Sequence, residues 1–319
     1  MIDKENSKTF ELEYKKGNNA LLLGNGINNL MPDFRWDLLL RKLDSKINLD
    51  EKPYTLAFEE IVLNKLARTN NNKSYKEILK GIKDMIADHC SKIEPNGHHK
   101  KLRNLNVSSF LTTNYDYAIE KTLDENFDFT KVTNATKDFK YSLNRYRIVN
   151  NKNVWHIHGE IENGYKKDNV NQYASASIMI GHEHYGDYYR RIHQYLRPFS
   201  TDEKTKEKYI KNPTWVKLFF THNLHIAGLS LDSSEFHLWW ILAYRARLKE
   251  YYQNIENNIF YHCASYEILS PKQIAKIDLL KSFGVKIKDK KIEEKTDNKY
   301  CMYWDEFFKT INSIIKNNE

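Results

Sequence analysis

The chain has 319 residues, of which 40% are hydrophobic and 29% are charged, and its formal net charge is +8. This length suits one large α/β domain with an embedded module, or two small domains, and it can bury a core without disulfides or metal ions. No apolar run approaches the roughly 20 residues that a membrane helix needs. The polar residues 1–8 contain no signal-peptide core, so we expect a soluble, cytoplasmic protein.

The three cysteines are widely spaced, at Cys90, Cys263 and Cys301, and no Cys-x-x-Cys pair is present to bind zinc. Such cysteine usage is typical of a reducing compartment. The lysines mostly alternate with acidic residues, as in 286–295, which indicates a solvated surface rather than a nucleic-acid groove. We therefore expect no direct contact with nucleic acid and no membrane association.

Predicted strands alternate with predicted helices along most of the chain. Strands that alternate with helices of ten or more residues imply an α/β fold with a parallel, doubly wound sheet. The predicted core strands are 19–23, 107–111, 154–157, 223–227, 259–263 and 284–287, and the predicted helices include 54–66, 74–89, 215–220, 271–282 and 304–315.

Residues 53–103 contain no strand candidate. Their two long helical periodicities predict an inserted helical module, a candidate lid over the first strand. The preceding helix contains Trp36, and Asp33 is its candidate N-cap. We expect a single domain over 1–319, with the helical insertion at about 53–103 and C-terminal strand and helix elements at about 257–319.

A glycine turn joins the first predicted strand to the first predicted helix. Gly24 and Gly26 would let the backbone approach a phosphate, and the N-terminus of the next helix favours negative charge. The third glycine of the G-x-G-x-x-G fingerprint is absent, because Asn29 stands in its place. The turn alone fits a nucleotide site and a plain strand-to-helix connection equally well.

Polar residues also follow two other predicted strands, at the edge where open α/β sheets bind ligands. In the segment 112–116, Asn114 could hydrogen-bond ribose hydroxyls or hold a water. Asp116 could bind a carboxamide or simply cap the following helix. Gly228 and Ser230 could pack against a ribose or adenine, or form a turn and a cap. These alternatives remain open from the residues alone.

Two histidines lie on the predicted strand 154–157 and at its end. His156 and His158 should share one face, since side chains alternate along a strand. With His182 and His184 they form two His-x-His pairs, but a zinc site needs a further converging ligand that the spacing does not fix, and we predict no metal site. We predict His158 as the general base, because an unperturbed imidazole titrates near neutral pH, and His156 as its structural neighbour.

Taken in order, GNGIN at 24–28, TTNYD at 112–116, HIHGE at 156–160 and GLSLD at 228–232 resemble motifs of the sirtuin-like superfamily. The resemblance runs from about residue 19 to 245, and the order and spacing of the four motifs carry it. It implies a Rossmann-like fold that binds NAD at the carboxyl edge of the sheet. The implied catalytic residues are His158 and Asn114, and the implied NAD contacts are Gly24, Asn25, Gly26, Asn28, Thr113, Asp116, Gly228 and Ser230.

Two departures narrow this resemblance. Lysine deacylases of the superfamily usually carry a four-cysteine zinc ribbon, which three cysteines cannot build, and their first loop usually reads GAG followed by a serine. The chain is more similar to bacterial sirtuin-like effectors of antiphage defence, with the AbiH group of abortive-infection proteins as a close relative. That resemblance implies an NAD hydrolase that takes NAD as its substrate and uses no metal.

We therefore predict an NAD glycohydrolase that releases nicotinamide and ADP-ribose and depletes NAD in abortive infection. Because such an activity is lethal, we expect control by a regulatory protein partner or a nucleotide activator, and assembly into a homo- or hetero-oligomer. The alternative is a catalytically silent subunit that binds NAD or a nucleotide and regulates a defence complex. Lysine deacylation and nucleic-acid binding are disfavoured by the missing zinc ribbon and the lack of a basic-aromatic motif.

Overall fold

The computed structural model describes residues 18–50, 52–69, 73–128, 142–161, 177–196, 213–251, 255–265, 270–291 and 298–318. The polar N-terminal residues 1–8 lie outside these ranges. None of the helices in the described ranges combines the length and the hydropathy that a membrane span requires.

Seven strands form one sheet in the order β3-β4-β2-β1-β5-β6-β7, and every neighbouring pair is parallel except β3 with β4. Without β3, the six parallel strands stand in the spatial order 3-2-1-4-5-6, which is the doubly wound order of dinucleotide-binding folds. The predicted Rossmann-like parallel sheet is confirmed. The strands are β1 (Asn19–Leu23), β2 (Ser109–Thr112), β3 (Arg147–Val149), β4 (Lys152–His156), β5 (Asn223–Ala227), β6 (Ile259–Ser265) and β7 (Lys286–Lys291).

The helices of the described ranges include the predicted ones and extend several of them. They are α1 (Trp36–Leu43), α2 (Tyr54–Arg68), α3 (Tyr75–Cys90), α4 (Gly97–Leu102), α5 (Ala118–Leu123), α6 (His182–Leu196), α7 (Trp215–Thr221), α8 (Phe236–Tyr251), α9 (Pro271–Ser282) and α10 (Lys299–Asn318). The prediction that Asp33 caps the first helix is wrong, because Asp33 lies inside the 3₁₀ turn Pro32–Phe34 and Arg35 directly precedes α1.

The sheet is covered by helices on both faces. Ala20 and Leu22 of β1 pack into one core with residues of α6, α7 and α8. Leu21 and Leu23 pack into the other core with residues of α4, α5 and α10. Because side chains alternate across a strand, a strand between two layers needs apolar residues at every position, which explains the continuous apolar run of β1.

A third core lies within the helical module. Leu40 of α1, Phe58 of α2 and Ile82 of α3 belong to one buried cluster, so α1 packs with the predicted insertion although it precedes residue 53. Leu102 of α4 is instead buried in the core beneath the sheet. The packing therefore groups α1, α2 and α3, and it assigns α4 to the layer that covers the sheet.

The hairpin of β3 and β4 was not predicted from the sequence. Asn150 and Asn151 connect the two strands, and both adopt positive φ angles, 47° and 61°. Two consecutive left-handed residues form the two-residue turn that best matches the twist of a hairpin, and asparagine tolerates that conformation. The Asn-Asn pair is the signal that could have revealed β3.

A buried group of charges holds this hairpin to α5. Glu160 forms ion pairs with Arg145 and Arg147, and Arg147 also lies 3.3 Å from the Glu120 carboxylate of α5. His156, at the end of β4, contacts the same Glu120 oxygen at 2.8 Å. All five side chains are largely or fully buried. Each charge therefore depends on its neighbours, because an unpaired buried charge is strongly destabilising.

We predict that Glu160→Gln lowers the free energy of unfolding by about 3–5 kcal/mol, because it leaves two buried arginines without their main counter-ion. Burial works to raise the pKa of Glu160, but Arg147, His156 and Arg145 outweigh burial and hold that pKa below its usual value of 4.5. The stabilisation is therefore present above pH 4.5 and is lost as the pH falls through the lowered pKa.

Chemical denaturation of both proteins across this pH range is the measurement, and the difference between them should shrink on acidification. Glu125→Gln is the control, since Glu125 pairs with Arg103 at an exposed position where ion pairs contribute little. A loss for Glu160→Gln no larger than that for Glu125→Gln would contradict the prediction.

A second prediction concerns α10, whose Trp304 side chain is fully buried against the sheet. Trp304→Ala should cost about 3–5 kcal/mol, because it removes a large buried side chain and leaves a cavity. Ser313→Ala, at an exposed position of the same helix, should change stability by less than about 0.5 kcal/mol. Urea denaturation of the two variants measures the difference, and equal stabilities would contradict the packing described for α10.

Candidate active site

A cleft of about 480 Å³ lies between the helical module and the carboxyl edge of the sheet. One wall comes from α1 and α2, and the other comes from the segments that follow β1, β2, β4 and β5. The segments after β1 and β5 meet at the point where the strand order reverses, which is where open α/β sheets bind ligands. The cleft therefore has the position of a nucleotide site.

The structure brings six of the predicted site residues to the cleft wall and leaves four outside it. The residues that line the cleft are Asn25, Gly26, Thr113, His158, Gly228 and Ser230. The predicted residues that do not line it are Gly24, Asn28, Asn114 and Asp116.

The glycines after β1 and β5 are explained by the contact of their two loops. A Cβ on Gly24 would lie 2.4 Å from the Gly228 oxygen, and a Cβ on Gly26 would lie 2.7 Å from the Gly228 Cα. The Gly24 and Gly26 amides donate to the carbonyls of Ala227 and Gly228, at 3.0 and 2.8 Å. These two amides are engaged within the protein, so a phosphate at this turn must use other groups.

Helix α10 forms hydrogen bonds with the loops that follow β1 and β5. Trp304 Nε1 donates to the Gly26 carbonyl at 3.2 Å, and Tyr303 Oη accepts from the Gly228 amide at 3.2 Å. Gly228 has a φ of +64°, and a Cβ there would meet the Trp304 ring at 2.8 Å. Helix α10 also contributes Tyr300 to the cleft wall. No motif in the sequence marked these residues.

Asp116 and Asn28 form a buried bridge between the first two strand ends. Asn28 Nδ2 donates to Asp116 Oδ2 at 3.1 Å and to Asn25 Oδ1 at 2.9 Å. Asp116 Oδ1 accepts from the amide of Ala118, the first residue of α5, at 2.9 Å, while Tyr117 occupies the N-cap position. Burial raises the pKa of Asp116, and the hydrogen bonds from Ala118 and Asn28 oppose that rise. The Asp116 side chain therefore joins the start of α5 to the loop after β1.

Asn114 lies beside the cleft with its backbone fixed on both sides. Its amide donates to Thr112 Oγ1 at 3.0 Å, and its carbonyl accepts from His156 Nδ1 at 2.8 Å. Its side-chain Oδ1 is buried and has no hydrogen-bond partner among the described residues. This side chain borders a small cavity of about 10 Å³, which Trp36 and Tyr115 also line. Such a space is close to the smallest that holds one water.

His156 and His158 contact different layers of the fold, so the prediction that they share a face is wrong. Strand β4 ends at His156, and residues 157 and 158 form a turn. His156 therefore reaches Glu120 of α5, whereas His158 reaches Tyr185 of α6 and His237 of α8. The alternation of side chains holds only while the strand continues.

The two histidines also have opposite pKa shifts. Burial works to lower the pKa of His156, but Glu120 outweighs burial and holds that pKa above its usual value. Burial lowers the pKa of His158 well below its usual value, and the neighbouring His237 lowers it further. His158 is therefore neutral near pH 7, with a lone pair available on one ring nitrogen.

Three residues around His158 were missed in the sequence. His158 Nδ1 lies 3.0 Å from Tyr185 Oη, and its Nε2 lies 3.0 Å from His237 Nε2 and 3.4 Å from Glu235 Oε2. Burial and then Asp232 raise the pKa of Glu235 to about 8, and burial lowers that of His237 to about 3. The sequence Glu235-Phe236-His237, just after GLSLD, is the signal that could have suggested them.

The two His-x-His pairs, His156 with His158 and His182 with His184, do not form one cluster. His184 lies 3.2 Å from Lys83 Nζ, and the His182 ring lies 5.9 Å from that of Phe236. In the described ranges, the group of residues with atoms close enough to hold a metal ion is instead His158, Glu235 and His237, whose ligand-type atoms lie within 4.8 Å of one another.

The module contributes charged and aromatic side chains to the cleft that the motifs did not reveal. Arg35 and Arg41 supply positive charge, and Trp36 and Tyr54 supply rings. Arg35 also pairs with Asp37 at 2.9 Å at a partly exposed position. A cleft with arginines, aromatic rings and backbone loops offers the groups that contact phosphates and bases.

Comparison with known proteins finds a SIR2-like family model and curated relatives that share one name. A family model described as a SIR2-like domain matches residues 108–287. Among curated proteins, the NAD(+) hydrolase ThsA of Bacillus cereus (strain MSX-D12) is 27% identical over 205 residues, which are 62% of this chain and 37% of that protein. The NAD(+) hydrolase ThsA of Enterococcus faecium is 26% identical over 215 residues, 66% of this chain and 42% of that protein.

A third protein of that name, from Acinetobacter baumannii (strain 532279), is 29% identical over 149 residues, 46% of this chain and 28% of that protein. The chain thus spans less than half the length of these relatives. The SIR2-like model covers β2, β4, β5 and β6 together with the segments that carry His158 and Gly228. This agreement over more than half of the chain confirms the sirtuin-like resemblance, and the chain belongs to the SIR2-like domain family.

Proposed function

We propose that the protein hydrolyses NAD at the bond between nicotinamide and ribose, and that it acts as an NAD-depleting effector of antiphage abortive infection. The observation that carries this proposal is His158, a buried neutral imidazole on the wall of the cleft at the reversal point of a Rossmann-like sheet. The name of the curated relatives, NAD(+) hydrolase, supports the same reaction.

The reaction needs positioning more than acid catalysis. The nicotinamide carries a positive charge while bound to ribose and leaves as a neutral ring with the electron pair of the broken bond. The oxygen of a water molecule then bonds to the ribose carbon and loses a proton. The site must hold the ribose, exclude bulk water and place that one water.

In this proposal the neutral His158 accepts the proton of the attacking water or of a ribose hydroxyl. A histidine with an unprotonated nitrogen can do so directly, and general-base catalysis contributes roughly 10²–10⁴-fold to a rate. Asn114 holds the ribose or the attacking water. Its Oδ1, which has no partner in the part of the chain that the structure describes, and the small adjacent cavity favour a water. The other predicted residues that line the cleft bind the dinucleotide: Asn25, Gly26, Thr113, Gly228 and Ser230.

Control of the activity is part of the proposal. NAD depletion is lethal, so we infer a regulatory protein partner or a nucleotide activator, and assembly into a homo- or hetero-oligomer. Activity measured alongside light scattering across protein concentrations tests this inference. A monomer that is fully active without any ligand would contradict it.

The decisive experiment is incubation of the purified full chain with NAD, alone and in complexes isolated from cells. We expect nicotinamide and ADP-ribose by liquid chromatography, with oxygen from labelled water in the ribose product. NAD-dependent thermal stabilisation without any product would instead support the regulatory subunit that binds NAD and does not turn it over.

We predict that His158→Asn lowers the rate of NAD hydrolysis by roughly 10²–10⁴-fold, because it removes the general base. The variant should keep NAD-dependent thermal stabilisation, which shows that its cleft is intact. His182→Asn is the control, since His182 is exposed and does not line the cleft. Full activity in a folded His158→Asn protein would remove His158 from the mechanism.

We further predict that Asn114→Ala lowers kcat more than it changes KM, because a residue that places water acts mainly in the transition state. Steady-state kinetics with NAD separate the two constants. Asn104→Ala, at an exposed position, should leave both constants unchanged. A rise in KM with kcat preserved would assign Asn114 to ribose binding and contradict its role in placing water.

A further inference from the structure

Three ligand-type atoms converge at the inner end of the cleft. His158 Nε2 lies 3.0 Å from His237 Nε2 and 3.4 Å from Glu235 Oε2, and the latter two atoms are 3.8 Å apart. A point equidistant from atoms at these separations lies about 2.0 Å from each, within the roughly 2.0–2.2 Å of Zn–N and Zn–O bonds. The three atoms already surround a position that fits a zinc ion.

The residue types suit the same ion. Two imidazoles and one carboxylate are a ligand set of zinc sites that keep a fourth position open. Imidazole nitrogen favours transition metals, whereas Mg²⁺ and Ca²⁺ prefer ligands that are all oxygen. His158 and Glu235 line the cleft, so an ion can enter from it.

The polar atoms of Glu235 and His237 are also incompletely hydrogen-bonded among the described residues. Glu235 Oε2 is buried and makes no hydrogen bond with the described residues, which is costly for a polar atom. The His158 and His237 Nε2 atoms face each other, and at most one proton can satisfy that contact. Tyr185 Oη, 3.0 Å from His158 Nδ1, orients the imidazole as outer-shell partners do at metal sites.

We propose that His158, Glu235 and His237 form a binding site for a divalent transition-metal ion, with Zn²⁺ as the best fit, and that the bound ion blocks the cleft. The ion takes the His158 lone pair at Nε2, which the proposed hydrolysis needs as a proton acceptor. The hydrolysis itself uses no metal, so the ion acts as an inhibitor. The inhibition rests on the proposed function, whereas the binding does not.

The test is a zinc titration of the full chain, purified without a polyhistidine tag, stripped of metal and placed in competition with a chromophoric chelator. We expect stoichiometric binding of Zn²⁺ that excess Mg²⁺ does not displace. His237→Ala should weaken binding by more than the roughly 10–100-fold that the loss of an outer-shell partner costs. Glu235→Gln should also weaken binding. It keeps the size of a partly exposed side chain, so it serves as the test if His237→Ala does not fold.

His262→Ala is the matched control. It removes one member of another close pair, in which His225 Nδ1 lies 3.0 Å from His262 Nε2, and no third ligand joins that pair within the described ranges. This variant should keep its zinc affinity. No stoichiometric zinc on the wild-type chain, or equal affinity in folded His237→Ala or Glu235→Gln, overturns the site.

A second arm measures NAD hydrolysis with and without zinc. We expect zinc to abolish the rate and a chelator to restore it. Zinc that binds and leaves the rate unchanged, or raises it, overturns the inhibitory role. If the wild-type chain does not hydrolyse NAD under any condition, the proposed function fails, while the titration still decides whether the metal site exists.

Discussion

The site depends on one close contact, in which two backbone loops meet at the reversal point of the sheet without a side chain between them. Gly24 and Gly26 lie against Gly228, and their amides donate to the carbonyls of Ala227 and Gly228. Trp304 closes the contact from behind and donates to the Gly26 carbonyl. Any Cβ at these glycines would meet backbone atoms or a buried ring. Packing within the protein therefore sets the position of the two loops at the floor of the cleft.

Electrostatics then separates two histidines that are close in the chain. His156 lies beside Glu120 and Glu160, which outweigh burial and raise its pKa, and its Nδ1 donates to the Asn114 carbonyl. His158 lies two residues further on, beyond the end of β4, and faces another histidine in a buried group. Its pKa is lowered. The pKa values of two histidines close in the chain thus shift in opposite directions, because the charged neighbours differ.

The cleft combines parts from distant regions of the chain. The SIR2-like segment supplies the ends of β2, β4 and β5, while the first loop, the helical module and α10 lie outside that segment. The loop and the module complete one side, with Arg35, Trp36 and Asn25 at the wall, and Tyr300 of α10 reaches the same space. Parts of the chain beyond the matched family segment therefore shape the pocket in which NAD hydrolysis is proposed.

The sequence alone determined the six parallel core strands, their alternation with helices and the edge at which polar residues gather. Periodicity and turn residues are local properties, and the carboxyl ends of parallel strands share one edge, so GNG, TTNYD and GLS could be placed there without coordinates. The hairpin strand β3 escaped because it has three residues, too few for a periodic signal.

Only the tertiary structure decided which residues surround His158 and in which protonation state they stand. His158 and His237 are 79 residues apart in the chain, and the end of β4 turns His158 toward α6 and α8. Spacing in the sequence cannot predict such a meeting, because it depends on where the strand stops and how helices cross the sheet. The pKa shifts likewise depend on burial and on neighbours brought together by folding, so the chemistry of the group was decided by packing.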